Sequence, residues 1–410
     1  MKRFYKLLTL CLLLVPVCLS GQTDSLRFSV KGVVRDARTG RILPEVGVSV
    51  PGTGYATVSN AEGTFIIKSD SPITQLSFSL IGYENLTQEA PVPAGAIMRV
   101  RLNAKSLTLD PSVVVSGNPE DLMRMAILKI EDNYPSEPEL FDCFYRETVR
   151  KRQRFIYVSE AVTKMYKASF KDRFTMDRVS LVKSRLLTSP KVSDTLAVKV
   201  IGGPAMPVSL DLVKTKEMVL NEADLCFYHL DLLPPQAIDG RMQFVIKLTP
   251  AQTTDYALQH GVVYIDRETL AFTRIELSLD MSDELKATRA MLVKRPAGIR
   301  FKPKEMSLLI NYKTEGGKSR QSYLKTVFRF DCDWRKRLFA TDFTVVAESV
   351  VTNRFNGPDL PKIPRKEAFG ERASLSDLTS VYSDPDFWQD YNIIEPTVGL
   401  EHAVGRLKSN

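Results

Sequence analysis

Residues Gly261 to Asp280 read GVVYIDRETLAFTRIELSLD, and this stretch decides the fold class. Val262 and Tyr264 lead into Asp266, a short polar turn of Arg267, Glu268 and Thr269 reverses the chain, and Thr273, Ile275, Leu277 and Leu279 return in alternation with Arg274, Glu276 and Ser278. Alternation of period two marks a strand with one buried face. The stretch therefore predicts a hairpin in an antiparallel sheet packed on one side and wet on the other.

Runs of the same kind lie on both sides of it. FDCFYRETV (141–149) and FIYVSEAVTKMYK (155–167) are expected to pair across a basic tip, and FTMDRVSLVKSRLL (174–187) follows. After a looser stretch from Ser189 to Leu233, which ends in Pro234-Pro235, come DGRMQFVIKLTP (239–250), IRFKPKEMSLLINYK (299–313), SYLKTVFRFDCDW (322–334) and FATDFTVVAESVVTNRF (339–355). A sheet of about eight to ten strands must curl, and a helix can plug its concave face. One helix is well marked. Asn118 caps it, Pro119 takes its first position, Glu120 and Asp121 lie in its first turn, and Asn133-Tyr134-Pro135 ends it. Leu122, Met125, Ala126, Leu128 and Ile130 are its expected apolar face; Met123 and Met125 at this spacing read as core rather than as an adaptable ligand surface.

Residues 1–21 read as a signal peptide. Lys2, Arg3 and Lys6 are basic, Leu7 to Leu19 are apolar, and Ser20-Gly21 supplies small residues for cleavage. Lipidation at Cys18 is the rival reading, against which Val17 stands as a bulky neighbour. No later apolar run approaches the roughly 20 residues of a membrane helix, so an exported protein, soluble or peripherally attached to a membrane, is expected. Setting aside the three basic leader residues leaves 53 basic against 48 acidic, which lowers the net charge from +8 to +5. The cluster Arg150, Lys151, Arg152 and Arg154 reads as a solvated hairpin tip, because no dense basic block or interleaved aromatics accompany it; a nucleic-acid partner is not expected. Cys143, Cys226 and Cys332 of the mature chain form no CxxC pair and sit among aromatic neighbours, which predicts buried packing; three thiols allow at most one disulfide.

Residues 22–105 form a separate small domain. FSVKGVVRDARTGRILPEVGVSVPGTGYATVSNAEGTFIIKS (28–69) alternates strand-like runs with turns at Gly40, Pro44, Pro51-Gly52 and Asn60-Ala61-Glu62-Gly63, the spacing of a compact sandwich. Gly63 is expected to supply the positive φ that closes the turn before Phe65. Val30 to Asp36, Thr39-Gly40, Leu43-Pro44, Val46 to Gly52, Asn60 to Phe65 and Ile81-Gly82-Tyr83 together resemble the carboxypeptidase-D regulatory-like module. That family is a transthyretin-like β-sandwich common at the N-termini of exported and outer-membrane proteins of Bacteroidota, and its name implies no peptidase activity. The family often has aspartate where this chain has Asn60, and either side chain can cap the turn. The rest of the chain is too short, and lacks the aromatic girdles, for the large membrane barrel that often follows the module.

The expected fold is thus mainly β, a small N-terminal β-sandwich followed by a large curved antiparallel sheet, half-barrel-like, with one main helix. The expected divisions are 22–105 for the sandwich, 106–135 for connector and helix, 136–356 for the sheet and 357–410 for a C-terminal strap, with Leu107 to Val115 a candidate edge strand. The strand order and the Tyr264-Ile265-Asp266 hairpin resemble the lipoprotein-carrier group of LolA and LolB type, a half-barrel that holds acyl chains. That resemblance implies an apolar ligand and transfers no ligand residue. Phe387 to Thr397, FWQDYNIIEPT, is aromatic where a free tail is polar, which predicts a strap docked on the sheet, with Trp388 and Tyr391 as candidate interface anchors. It resembles the closing segment of exported Bacteroidota proteins that begin with the same module.

His229, His260 and His402 are far apart and belong to no hydrolase or metalloprotease motif, and the carboxylates show no calcium-loop spacing. No catalytic residue, metal or cofactor is expected. The functional expectation is a non-enzymatic cell-envelope protein, periplasmic or outer-membrane associated. It would bind or scaffold, with an apolar ligand or lipid in the concave sheet, or act as a protein partner of an outer-membrane system; a hydrolase of unknown class is the remaining alternative.

Overall fold

The computed structural model describes residues 28–90, 95–105, 117–172, 174–191, 194, 199–200, 203–294, 298–334, 340–355, 357, 359–370, 373, 375, 388 and 390–408. The signal peptide with Cys18, and the candidate edge strand 107–115, lie outside these residues.

The N-terminal part is a sandwich of β1 (Phe28–Asp36), β2 (Gly47–Ser49), β3 (Ala56–Val58), β4 (Thr64–Ser69), β5 (Gln75–Ser79), β6 (Leu86–Glu89) and β7 (Met98–Leu102). One sheet has the order β4-β1-β7 and the other β3-β2-β5-β6. Their inward residues, among them Val34, Val46, Phe65, Ile67, Leu76, Phe78 and Val100, close a core of their own, with Phe65 edge-on to Phe78 at 5.5 Å. Gly63 takes φ +70°, as its turn requires, and a side chain there would strike the Val34 carbonyl.

The larger part is one open antiparallel sheet. Its strands are β8 (Glu139–Lys151), β9 (Arg154–Lys167), β10 (Arg178–Thr188), β11 (Tyr228–Ile238), β12 (Arg241–Pro250), β13 (Gln259–Asp266), β14 (Phe272–Leu279), β15 (Ile299–Glu315), β16 (Lys318–Trp334) and β17 (Thr341–Phe355). They lie in the order β10-β9-β8-β17-β16-β15-β14-β13-β12-β11. The last strand thus pairs with the first, β17 against β8, which brings residues some 200 apart into register.

The hairpin of β13 and β14 forms where its sequence places it, with Asp266 Oδ1 accepting from the N–H groups of Glu268 and Thr269 and from the Thr269 hydroxyl. The sandwich uses the same device, Asp36 Oδ1 accepting from Arg38 and Thr39. Two details differ from the sequence reading. Pairing slips by one residue between Tyr264 and Ile265, so Thr273 is bulged and Phe272 joins Ile275 on the buried face. Arg274, Glu276 and Ser278 are only partly exposed, because that face is covered in part by the sandwich.

The other face of the sheet carries the helices. From α1 (Pro119–Leu128), Leu122, Met123, Ala126 and Ile127 join one buried core with Ile246, Val263, Ile275 and Leu324 of the sheet. Asn118 and Pro119 start this helix as expected, but its buried stripe is rotated; Met125 and Leu128 face solvent, at 43% and 74% exposure. The stretch 203–227, expected to be loose, folds into short helical pieces whose Leu212, Val213, Val219, Leu220 and Leu225 fill the same face. Pro234-Pro235 does not end that stretch but lies within β11, at the sheet's edge and at a register slip, where missing donors cost least. A second helix, α2 (Glu284–Met291), covers the stacked Phe301, Phe330 and Phe343 with Ala287 and Met291. Among the described residues no helix is long and apolar enough to cross a membrane.

After β17 the chain binds both faces. Ile363 packs on Leu140 and Tyr166, and Phe369 joins the core beneath the helices. Trp388 then lies on the opposite face, and the strap continues into a helix that the sequence reading did not include, α3 (Val398–Lys408), with Leu400 and Leu407 against Val158 and Leu187 of the sheet.

Candidate functional site

The face of the sheet turned to the sandwich holds a row of alternating charge that follows from strand register. Arg185 of β10 stands opposite Glu160 of β9, Glu160 opposite Arg146 of β8, Arg146 opposite Glu348 of β17, and Glu348 opposite Lys325 of β16. Opposite charges directly across strands attract, and burial strengthens them. Glu160 is 1% exposed and accepts from Arg146 Nε at 2.6 Å and Arg185 Nε at 2.5 Å. Burial alone would raise its carboxyl, but the two guanidiniums outweigh burial and hold it below the usual glutamate range. Lys325 at the far end is lowered by burial and raised more by Glu45 and Glu348, so it stays charged and donates to Glu45 of the sandwich at 2.8 Å.

The C-terminal strap crosses this row. Trp388 is 9% exposed, edge-on to Phe144 at 5.5 Å, with its indole N–H donating to Glu160 at 3.3 Å and Arg185 5.3 Å from its ring. Arg146 also donates to the Ile394 carbonyl at 2.7 Å. From the sandwich, Lys68 donates to the Trp388 carbonyl, Thr57 to that of Ile393 and Asn60 to that of Glu395, while Asn392 exchanges hydrogen bonds with the Lys68 backbone. Gly54 lies where a side chain would strike Asn353 and the Arg354 backbone, which lets the two parts meet closely.

Between the sandwich turn at Pro44 and Ser59 to Glu62, the sheet, and the strap with the start of α3, a cleft of about 820 Å³ remains open. Its floor has three rows. The first is the charged row at Arg146, Glu348 and Lys325; the second is Thr148, Val346 and Val327; the third is Arg150, Thr344, Arg329 and Glu305. A cleft of this size with convergent polar groups is the usual form of a ligand site.

Asn60 sits at the cleft's edge and does more than cap a turn. Its Oδ1 accepts from Glu62 and Thr64 N–H at 2.9 and 3.0 Å, and its Nδ2 donates to the Glu395 carbonyl at 2.9 Å. Aspartate can make the first two bonds and not the third. Asn60→Asp is therefore expected to cost about 1–3 kcal/mol, by orphaning that carbonyl and facing it with a carboxylate, and to speed proteolysis of the C-terminal segment. A urea midpoint unchanged from the parent would refute the tie.

Residues 30–115 match the CarboxypepD_reg-like domain. The regulatory-like domain is the sandwich, and it contributes Pro44, Glu45 and Ser59 to Glu62 to the cleft. The chain is also similar, distantly, to three solved structures. They are a LolA superfamily protein from Nitrosomonas europaea (12% identity, 61% of this chain and 98% of that one, TM-score 0.21), a DUF1329 family protein from Desulfovibrio piger (11%, 57% and 92%, 0.24) and the MucA/MucB complex of Pseudomonas aeruginosa (12%, 56% and 93%, 0.17). At these identities and scores the likenesses say nothing about ligand or activity. No curated protein matches the chain.

The residues singled out in the sequence fall as follows. Trp388 is buried within the chain, and Tyr391 is partly exposed beside it, with the Lys183 ammonium 6.0 Å from its ring. His229, His260 and His402 are exposed on β11, β13 and α3, His229 lying 3.1 Å from Asp231. Among the described residues no group of three His, Cys, Asp or Glu side chains is placed to hold a metal. Cys143 and Cys332 are buried free thiols, Cys332 pushed up to about 12 by burial. Cys226 departs from its expected burial; a turn of 3-10 helix leaves it on the surface, where its thiol donates to the Ala223 carbonyl. The charged row itself was not found in the sequence.

Proposed function

We propose that this is a non-enzymatic cell-envelope protein with a binding or scaffold role, and that it binds in the cleft between the regulatory-like domain and the sheet. One observation carries the reading. The apolar face of the sheet is filled by the chain's own α1, α2 and 203–227 segment, while the open volume lies on the polar face, walled by three separate parts of the chain. A lipid would have to displace side chains such as Leu122, Met123 and Leu212 that are already packed there. A cleft with a register-paired charged row along its floor offers recognition, and no histidine or thiol stands in it to act as base or nucleophile among the described residues. We place the protein in the periplasm or at the outer membrane, where a partner of an outer-membrane system could reach the cleft.

Native mass spectrometry of the mature protein, purified from its own envelope without harsh detergent, tests this. The expected result is no lipid-sized adduct, and retention of a polar ligand or protein partner that Val346→Trp, filling the cleft floor, removes. A stoichiometric lipid adduct would overturn the reading, as would turnover of ester, peptide or glycoside substrates lost on mutation of one polar cluster.

A further inference from the structure

We infer that the ligand of this cleft is anionic, and that Arg150 with Arg152, at the hairpin end, holds its oxyanion. This rests on the cleft being the binding site and adds the ligand's chemistry.

The charges around the cleft can be accounted for one by one. Among the carboxylates, Glu45 takes Lys325, Glu348 takes the Tyr323 hydroxyl at 2.7 Å, Asp342 takes Lys304 at 3.1 Å, and Glu62 takes the Val398 N–H that starts α3. Glu305 lies 3.6 Å from Arg329, and Glu395 3.9 Å from Lys31. Among the cations, Lys325 and Arg329 are consumed in the same pairs and Arg146 by Glu160. Arg150 and Arg152 have no carboxylate partner among the described residues. Arg150 Nε is moreover buried without a hydrogen-bond acceptor, a state that costs free energy and leaves this guanidinium unsatisfied at the cleft.

Orientation adds to charge. The Arg150 guanidinium carbon lies 5.2 Å from the centre of the Phe155 ring, a cation–π contact that steadies the side chain at the cleft floor. Arg152, exposed at the tip with φ +56°, is fixed by its N–H bond to the Asp342 carbonyl. A guanidinium without a carboxylate partner suits contact with a carboxylate or phosphate, whose planar or tetrahedral oxygens its N–H groups match. The second row, Thr148, Val346 and Val327 with Leu400 of α3 also lining the cleft, carries no charge, so the oxyanion belongs to a ligand with an uncharged body that lies along the floor.

Titration of the full mature chain with inorganic phosphate, citrate, tri-glutamate, tri-alanine and tri-lysine, followed by calorimetry at low and physiological salt, tests the inference. Saturable binding of citrate or tri-glutamate points to carboxylates and of phosphate to phosphate esters. Either is expected to weaken at least tenfold in Arg150→Gln, less in Arg152→Gln, and not at all in Arg99→Gln, an exposed β7 residue that does not line the cleft. Melting curves of each variant confirm that it folds. Equal binding of the anions to Arg150→Gln and parent, or no anion binding at millimolar concentration, overturns the inference. If tri-alanine or tri-lysine alone binds and Val346→Trp abolishes it, the cleft stands as the site while the anionic ligand does not.

Discussion

Replacing Glu160 by alanine is expected to lower the unfolding free energy by about 3–5 kcal/mol, among the largest losses available to a single substitution in this chain. The reason is what remains behind. Arg146 is 4% and Arg185 9% exposed, and without Glu160 two guanidiniums stay buried side by side without their shared carboxylate. Glu160→Gln keeps the shape and loses the charge, so it should be nearly as costly. Changing Glu160, Arg146 and Arg185 together to Leu, Met and Met should recover much of the loss, because a paired buried ion set is stabilising only relative to a broken one. Equilibrium urea denaturation reads all three; a loss below about 1 kcal/mol for Glu160→Ala would mean the row is solvated. The same group gives a pH dependence. Its folded carboxyl titrates below the ordinary glutamate value of 4.5, so its contribution is complete above that pH and disappears as the pH falls through the lower folded value. Acid unfolding of the parent should therefore begin below the ordinary glutamate range, and Glu160→Gln should flatten that part of the curve.

The legibility of this chain follows the range of the forces involved. Alternation at β14, the Asp266 turn, the Asn118-Pro119 start of α1 and the positive φ at Gly63 are set by neighbours a few residues away, and each could be read directly. The phase of α1 could not. Leu122 and Ala126 fit either of two adjacent stripes, and only the strands beneath decide that Met123 and Ile127, rather than Met125 and Leu128, turn inward. Helix α3 was hidden because its apolar residues match surface grooves of β9 and β10 far back in the sequence. The site was hidden more deeply. Glu160 meets Arg146 fourteen residues away, yet the row is completed by Glu348, which reaches Arg146 only because β17 closes on β8. Asn60 looked exchangeable for aspartate because its third hydrogen bond runs to Glu395, 335 residues on. Charges that looked like an ordinary mixed surface become a site through register alone.

Trp388→Ala should be comparably damaging, at about 3–5 kcal/mol, through loss of a buried aromatic. Its effects reach farther because it joins three parts of the molecule. The ring rests on Phe144 of the sheet, the indole N–H meets Glu160, and the backbone carbonyl accepts from Lys68 of the sandwich at 2.6 Å. Burial has pushed the Lys68 amine down to about 8, so this contact is made where water is scarce and is not easily replaced by solvent. Trp388→Phe keeps most of the ring and loses only the donor to Glu160, which should cost about 1 kcal/mol. The two variants thus separate packing from hydrogen bonding. If the strap joins the domains, Trp388→Ala should raise the radius of gyration in small-angle scattering and speed cleavage of the C-terminal segment more than a hundredfold, since each 1.4 kcal/mol of local opening is about tenfold. Unchanged scattering with a lowered melting temperature would make Trp388 a core residue of the sheet alone. Because Ile394, Glu395 and Thr397 wall the cleft, the first outcome also predicts weakened ligand binding in Trp388→Ala although the tryptophan does not line it, and that loss would make the strap part of the site as well as of the fold.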